Sequence, residues 1–307
     1  MKKIMLVYNP IAGRGQFSQS LPAVIEILTK AGFRVEVWPT SSRGDATEKT
    51  ALYGGEADII VAAGGDGTLD EVIEGMYRGG IRRVMGYIPV GSTNDFAQSL
   101  KLSTNPIEAA HAIAGAEIAG VDVGCFNRDH FIYVAAFGAF TDVSYKTAQD
   151  MKNVLGHLAY LLEASKELLS IKPLPMTIEA DGRTVSGEFL YGMVTNSLSV
   201  GGIKNITGHA VALNDGLFEV TLIRNPKNLF ELNEIIAALL TGKDDSPLLE
   251  FFKTDHIVFT APEDTPWTLD GEYGGAMRRA EICVSRQALP LLIDPQQLER
   301  AKDDAIL

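Results

Sequence analysis

Short solid apolar runs and amphipathic stretches alternate along the first third of the chain. Lys3 to Tyr8, Asp58 to Ala63 and Val84 to Pro89 read as strands buried on both faces. Phe33 to Trp38 alternates apolar and polar positions, as a strand does. Phe17 to Ala31 places Leu21, Val24, Ile25 and Leu28 on one face of a helix, with Gly32 just past its end. Asp45 to Tyr53, Leu69 to Met76 and Asn105 to Ala114 read as further helices. This β-α-β-α order predicts a parallel sheet with helices on both faces. Ligands of such sheets sit beyond the carboxyl ends of the strands.

From about Gly120 the pattern changes. Short strands dominate: Val121 to Phe126, His130 to Phe137, Pro175 to Ala180, Phe189 to Val194, Leu217 to Ile223, His256 to Thr260, Ala280 to Val284 and Leu289 to Ile293. Asp181-Gly182, Asn214-Asp215-Gly216 and Asp270-Gly271 punctuate them as turns. Two helices interrupt, at Val154 to Leu169 and Leu229 to Leu240. The predicted architecture is an α/β domain over residues 1–119 and an antiparallel β-sandwich domain over 120–307. No long linker separates them, so a shared interdomain cleft is expected. The tail from Pro295 to Leu307 reads as a short helix that is free to pack back on the first domain.

Bulk properties narrow the function. A chain of 307 residues is about twice a typical domain, in keeping with two. The net charge of −12 argues against nucleic acid as a partner and against docking to an anionic membrane by bulk charge. Arg278-Arg279 is a local basic exception. The two cysteines, Cys125 and Cys283, lie in strand-like runs and are expected to be buried free thiols, which fits a reducing cytoplasm. The apolar run at the N-terminus is too short for a signal peptide, and no run of about 20 apolar residues offers a membrane span. The five histidines are scattered without zinc-site spacing.

Chemistry concentrates at Gly64-Gly65-Asp66-Gly67-Thr68, between a strand pattern and a helix pattern. Glycines let the backbone approach a ligand closely, and the helix N-terminus favours negative charge. Such a turn makes a phosphate cradle in which Asp66 acts through a bound cation. An ordinary capped βα turn has the same signature. Asn9-Pro10-Ile11-Ala12-Gly13-Arg14-Gly15 ends the first strand and offers backbone donors to a phosphate, or is a plain loop. Ser92, Thr93, Asn94 and Asp95 follow the fourth strand. All four suit helix capping, and they also suit a nucleotide and magnesium site. Leu269-Asp270-Gly271-Glu272-Tyr273-Gly274-Gly275 reads as a hairpin turn, or as a turn that presents two carboxylates to the cleft.

Taken in order, these segments resemble the soluble bacterial diacylglycerol kinases, within the wider group of lipid kinases that includes sphingosine and ceramide kinases. The resemblance covers nearly the whole chain. It rests on Asn9-Pro10 with Gly13, Gly44-Asp45-Ala46, the 64–68 turn, Gly91 to Phe96, and Asp270 to Gly275. NAD kinases and phosphofructokinases share only the glycine-aspartate motif. The resemblance implies an ATP-binding first domain and a lipid-substrate second domain. It places ATP against Asn9, Pro10, Ile11, Ala12, Gly13, Thr40, Gly65, Asp66, Gly67, Thr68, Leu69, Asp70, Glu71, Ser92 and Asn94. Asp270 matches the family's general base. Glu272, Asp66 and Asp95 match acidic residues that organise the reactive Mg2+. A separate structural magnesium maps to the Asp215 side chain and the carbonyls of Ala212 and Leu217, although the turn also reads as a metal-free hairpin. Asp70 departs from the asparagine that related sequences often carry.

The implied reaction is transfer of the ATP γ-phosphoryl to the hydroxyl of diacylglycerol. Negative phosphates and carboxylates need a cation between them, and the acceptor alcohol needs a proton acceptor. A bilayer substrate implies transient peripheral contact at the inner face of the membrane by a cytoplasmic enzyme. The Val154-to-Leu169 segment, through Leu158, Leu161, Leu162, Leu168 and Leu169, and Phe251-Phe252 are candidate rims, or core. The rival acceptors are a sphingoid base, phosphatidylglycerol, undecaprenol and NAD. A nucleotide-responsive protein without catalysis would be expected to lack Asp270. The resemblance is compatible with a homodimer, and no interface stripe marks one.

Overall fold

The computed structural model describes residues 1–139, 172–200, 203–204, 211–241, 246–304 and 306–307. The expected helix at Val154 to Leu169, with its apolar leucines, lies outside them, as does the Arg14 side chain. The chain divides into two units, one of residues 1–122 with 286–307 and one of residues 123–285.

In the first unit, β1 (Lys3–Tyr8) lies between β2 (Arg34–Pro39) and β3 (Ile59–Gly64), and β4 (Val84–Pro89) joins β3. All of these pairings are parallel, with Ile4 opposite Val35 and Ile59. Every residue of β3 is buried, as a strand covered on both faces requires. The helices are α1 (Gln16–Lys30), α2 (Asp45–Tyr53), α3 (Asp66–Arg78), α4 (Asp95–Ser99) and α5 (Pro106–Ala114). Phe17, Val24 and Leu28 of α1 and Ala110 and Ile113 of α5 pack with Ile4, Leu6, Val61 and Ile88 of the sheet. Each of these side chains larger than alanine contributes about 1.5–3 kcal/mol through burial. Asn105 starts α5 by accepting the Ile107 N–H at 2.9 Å. The helix Pro295–Asp303 begins the same way, with Asp294 accepting the Gln296 N–H at 2.9 Å. It buries Leu298 and Ala301, and an ion pair joins Lys101 to Asp304 just beyond its end.

β5 (Glu117–Phe126) leads from the first unit into the second. There follow β6 (Asp129–Phe131), β7 (Val134–Gly138), β8 (Leu174–Ala180), β9 (Arg183–Thr195), β10 (Ser199–Val200), β11 (Ile203–Lys204), β12 (Phe218–Arg224), α6 (Leu229–Thr241), β13 (Leu249–Thr254), β14 (His256–Leu269) and β15 (Glu272–Ile293). The strand order runs β13-β12-β9-β7-β14-β15, with β8 paired to both β9 and β14. The pairings among β7, β8, β9, β12, β13, β14 and β15 are antiparallel. Trp267 centres the core, with the rings of Phe126, Phe137 and Phe259 at 4.9 to 5.1 Å.

Several sequence expectations need correction. The two strands expected at Ala280 to Val284 and Leu289 to Ile293 are one strand of 22 residues, β15. Its last part returns to the first unit, where Leu291 pairs in parallel with Met85 of β4. β13 has no counterpart in the sequence reading, because Leu249-Glu250-Phe251-Phe252-Lys253-Thr254 does not alternate apolar and polar positions. Phe252 packs against the core of the second unit. Cys125 and Cys283 are half-buried rather than buried. They lie on the sheet face opposite their neighbours Phe126 and Ile282, which are core residues.

Candidate active site

Two glycine turns of the first unit close on one another. Gly65 is the extended N-cap of α3, and Gly91 follows β4. A Cβ on Gly91 would stand 2.4 Å from the Gly65 Cα, so only glycine permits this approach. Gly13 is similarly placed, with φ +58 and a hypothetical Cβ 2.4 Å from the Val90 carbonyl oxygen. The Asn9 side chain accepts the Ile11 N–H at 3.0 Å and shapes the first loop. Ile11 is 82 % exposed. Thr40 donates its backbone N–H to Tyr8 at 2.8 Å, which brings the end of β2 beside the end of β1.

Asp66 opens α3, and its carboxylate reaches across to the other turn. Oδ2 accepts the Asp95 N–H at 3.1 Å and Oδ1 accepts the Phe96 N–H at 3.4 Å. Asp66 thereby caps α4 from outside. Asn94, the N-cap of α4, uses its side chain on Gly91 instead, accepting the N–H at 3.0 Å and donating to the carbonyl at 2.9 Å. Burial raises the Asp66 carboxyl above its usual range, and the nearby Asp95 charge adds to this. The Tyr87 phenol is raised well above its ordinary value by burial and then by the charges of Asp66 and Asp95. Sequence reasoning did not find Tyr87, because a buried strand tyrosine carries no mark of its neighbours.

The other expected residues of this region divide by exposure and by partner. Gly67 and Ser92 are exposed, Thr68 and Leu69 are buried, and Asp70 is half-buried. Glu71 holds the start of α2, accepting the Gly44 N–H at 2.8 Å and the Ala46 N–H at 3.2 Å. That bond gives a physical reason for the Gly44-Asp45-Ala46 motif. The structure thus brings Asp66, Asp95, Asn94, Gly65 and Gly91 together. Two carboxylates that repel one another, one of them raised, suit a divalent cation whose other ligands are phosphate oxygens and water, so these residues fit magnesium.

Asp270 belongs to the second unit and occupies the two-residue turn between β14 and β15. Asp270 and Gly271 both have positive φ, 50 and 85, as a type I′ hairpin turn demands. The Asp270 carboxylate is almost fully buried. Oδ2 accepts the Ile132 N–H at 2.6 Å, and Oδ1 accepts those of Tyr133 and Val134, both at 2.9 Å. The Tyr133 hydroxyl donates to the Asp270 carbonyl at 2.9 Å. Three N–H donors stabilise negative charge on this side chain. Glu272 and Tyr273 next in line are exposed.

Asp215 sits in an exposed turn, where Oδ1 accepts the Leu217 N–H at 2.9 Å. Its Oδ2 lies 3.2 Å from Lys253 Nζ, which is also 3.0 Å from Oε1 of the buried Glu219. Burial pushes the Glu219 carboxyl up to about 7, against the pull of Lys253. Ala212 and Leu217 are half-buried. A cation on Asp215 and the Ala212 and Leu217 carbonyls would share the Asp215 carboxylate with the Lys253 ammonium. Among the described residues, no group of three or more His, Cys, Asp or Glu gathers to hold one. A hollow of about 480 Å³ in the second unit, lined by Met176, Thr177, Ser186 and Thr260, contains none of the expected site residues.

Paired glycine turns with coupled carboxylates on an α/β unit, joined in one chain to an antiparallel β unit, define a class of two-domain kinases. Residues 3–126 match the diacylglycerol kinase catalytic domain, and residues 135–293 match the YegS C-terminal NAD kinase beta sandwich-like domain. The chain is 35 % identical over 283 residues to the diacylglycerol kinase of Bacillus subtilis (strain 168), covering 90 % of this chain and 92 % of that protein. It is 33 % identical over 279 residues to the diacylglycerol kinase of Staphylococcus carnosus (strain TM300), covering 90 % of each. A crystal structure of a diacylglycerol kinase from Bacillus anthracis strain Sterne shares the fold, with a TM-score of 0.74 at 24 % identity over 96 % of this chain and 98 % of that one. The chain belongs to the diacylglycerol kinase family.

Proposed function

We propose that the protein is an ATP-dependent diacylglycerol kinase that transfers the γ-phosphoryl of ATP to the diacylglycerol hydroxyl, giving phosphatidic acid and ADP. The observation that carries this reading is the Asp66–Asp95 pair at the two closed glycine turns, in a chain 35 % identical to a diacylglycerol kinase. The nucleotide lies against Asn9 to Gly13, Thr40, Gly65 to Glu71, Ser92 and Asn94, where backbone N–H groups face its phosphates. Asp66 and Asp95 would hold Mg2+, which when bound would neutralise phosphoryl oxygens. Asp270 takes the proton of the acceptor hydroxyl, its carboxylate held in place by the backbone of residues 132 to 134. The acceptor is met by transient peripheral contact at the inner face of the membrane, and the net charge of −12 makes that contact apolar rather than a matter of bulk charge. No described helix is long and apolar enough to cross a membrane.

The test is incubation with labelled ATP and magnesium and a panel of diacylglycerol, a sphingoid base, phosphatidylglycerol, undecaprenol and NAD. Label is expected in phosphatidic acid, and to be lost with Asp66→Asn. Label in NAD, or in a lipid other than diacylglycerol, overturns the assignment of the acceptor. No labelled product at all overturns the reading as a kinase.

A further inference from the structure

We propose that Cys125 and Cys283 form a cross-strand thiol pair that a small disulfide oxidant, such as glutathione disulfide, closes into an intramolecular disulfide. The placement follows from strand register. β5 pairs with β15, and Asn127 donates its N–H to the Glu281 carbonyl at 2.8 Å. Asn127 Oδ1 takes the Glu281 N–H in return at 2.9 Å. Further along the same pair of strands, the Gln287 N–H reaches Asp122 Oδ1 at 2.6 Å, so the strands run antiparallel. Two residues inward from Asn127 and Glu281, Cys125 stands directly opposite Cys283. Directly opposed residues of antiparallel strands lie about 4.5–5.5 Å apart at their Cα atoms, within the Cα range of a disulfide. The Cys125 thiol is close enough to perturb the Cys283 thiol, in keeping with that register. They are the only cysteines in the chain, and both are half-buried, within reach of a small reagent.

His130 lies opposite Cys125 on β6, and His256 lies opposite Cys283 on β14. The four residues make one row across four strands. His256 is occupied by Glu281 at 2.9 Å, and no metal-holding group gathers among the described residues, so the thiols have each other as their chemical partner. Partial burial, the Cys125 thiol and the Glu281 charge hold the Cys283 thiol above its usual range. It therefore stays protonated near neutral pH.

The reaction balances in two exchanges. One protein thiolate attacks a sulfur of glutathione disulfide and expels a glutathione thiolate. The opposing cysteine loses its proton to solvent and attacks the protein sulfur of that mixed disulfide, expelling the second glutathione. Two protein thiols are oxidised to one disulfide while glutathione disulfide is reduced to two thiols. The bond ties together the third residue from each end of the 123–285 segment and closes a loop of about 160 residues.

The experiment treats the folded full-length chain with excess glutathione disulfide, counts free thiols with a chromogenic reagent and maps the products by mass spectrometry. Wild type is expected to lose both thiols, to keep no glutathione and to yield one Cys125–Cys283 cross-linked peptide. Cys125→Ser and Cys283→Ser are each expected to stop at a glutathione adduct. Closure is expected to quicken roughly tenfold between pH 7 and pH 8, following the thiolate fraction. Wild type that keeps two thiols, or that ends with glutathione on both cysteines, overturns the proposal.

Discussion

Two aspartates in glycine turns, one in each unit, are held in opposite ways. Asp66 accepts two backbone N–H groups but faces a second carboxylate, and burial and repulsion raise it. Asp270 faces three backbone N–H groups in a turn with positive φ and is fixed as an acceptor. The first arrangement disfavours the charged form, which a cation would restore. The second satisfies the charge and points it. Residue type alone would give both the same role; the difference lies in what each carboxyl faces.

The strongest way to break this comparison is Asp270→Asn. Turnover is expected to fall by roughly 10²–10⁴-fold with ATP affinity little changed. An amide also brings an N–H2 against a backbone donor, so unfolding in urea should shift by about 1–3 kcal/mol. Unchanged turnover in folded protein would remove Asp270 from the chemistry and leave it a turn anchor. Gly91→Ala strikes the other turn. Its Cβ meets the Gly65 backbone at 2.4 Å, and overpacking of this kind costs about 1–3 kcal/mol. Calorimetric titration with ATP should show weakened binding, and equal affinity would mean that the two turns do not need to touch.

Glu219 sharpens the contrast, as a buried carboxyl with a lysine in place of N–H donors. Its folded value of about 7 lies above the ordinary 4.5, so the folded state holds this proton more tightly. Its contribution is therefore full at low pH and declines as pH climbs from about 4.5 to about 7. Glu219→Gln should remove that decline and make the variant about 2 kcal/mol more stable than wild type at pH 8, with little difference near pH 4. Urea unfolding across that range measures it, and parallel profiles for the two proteins would contradict it. The smallest effect is expected for Asn94→Ala, which frees the Gly91 N–H and carbonyl and should lower the unfolding free energy in urea by about 1 kcal/mol.

The sequence showed the elements better than their partners. β1, β4 and α2 are bounded as the apolar runs and caps predict, because each run ends at a polar or glycine break. β14 and β15 run well beyond their apolar segments, since exposed positions such as Glu272 and Arg279 still pair across the hairpin and leave no hydrophobic trace. In the site, the Asp66 and Asp95 motifs are visible in the chain, but their contact comes from β3 and β4 being neighbours. The donors that hold Asp270 are backbone atoms of residues 132 to 134, which no choice of side chain announces. Lys253 beside Asp215 depends on the register of β12 with β13, and no spacing in the chain encodes it.

The bond from Gln287 to Asp122 has a consequence for how such a chain can change. Where the 123–285 segment leaves and where it rejoins are neighbours on adjacent strands, 2.6 Å apart at that contact. The first unit is thus nearly continuous without its insert. A different cassette with closely spaced ends could be spliced at the same seam without breaking the first unit's sheet.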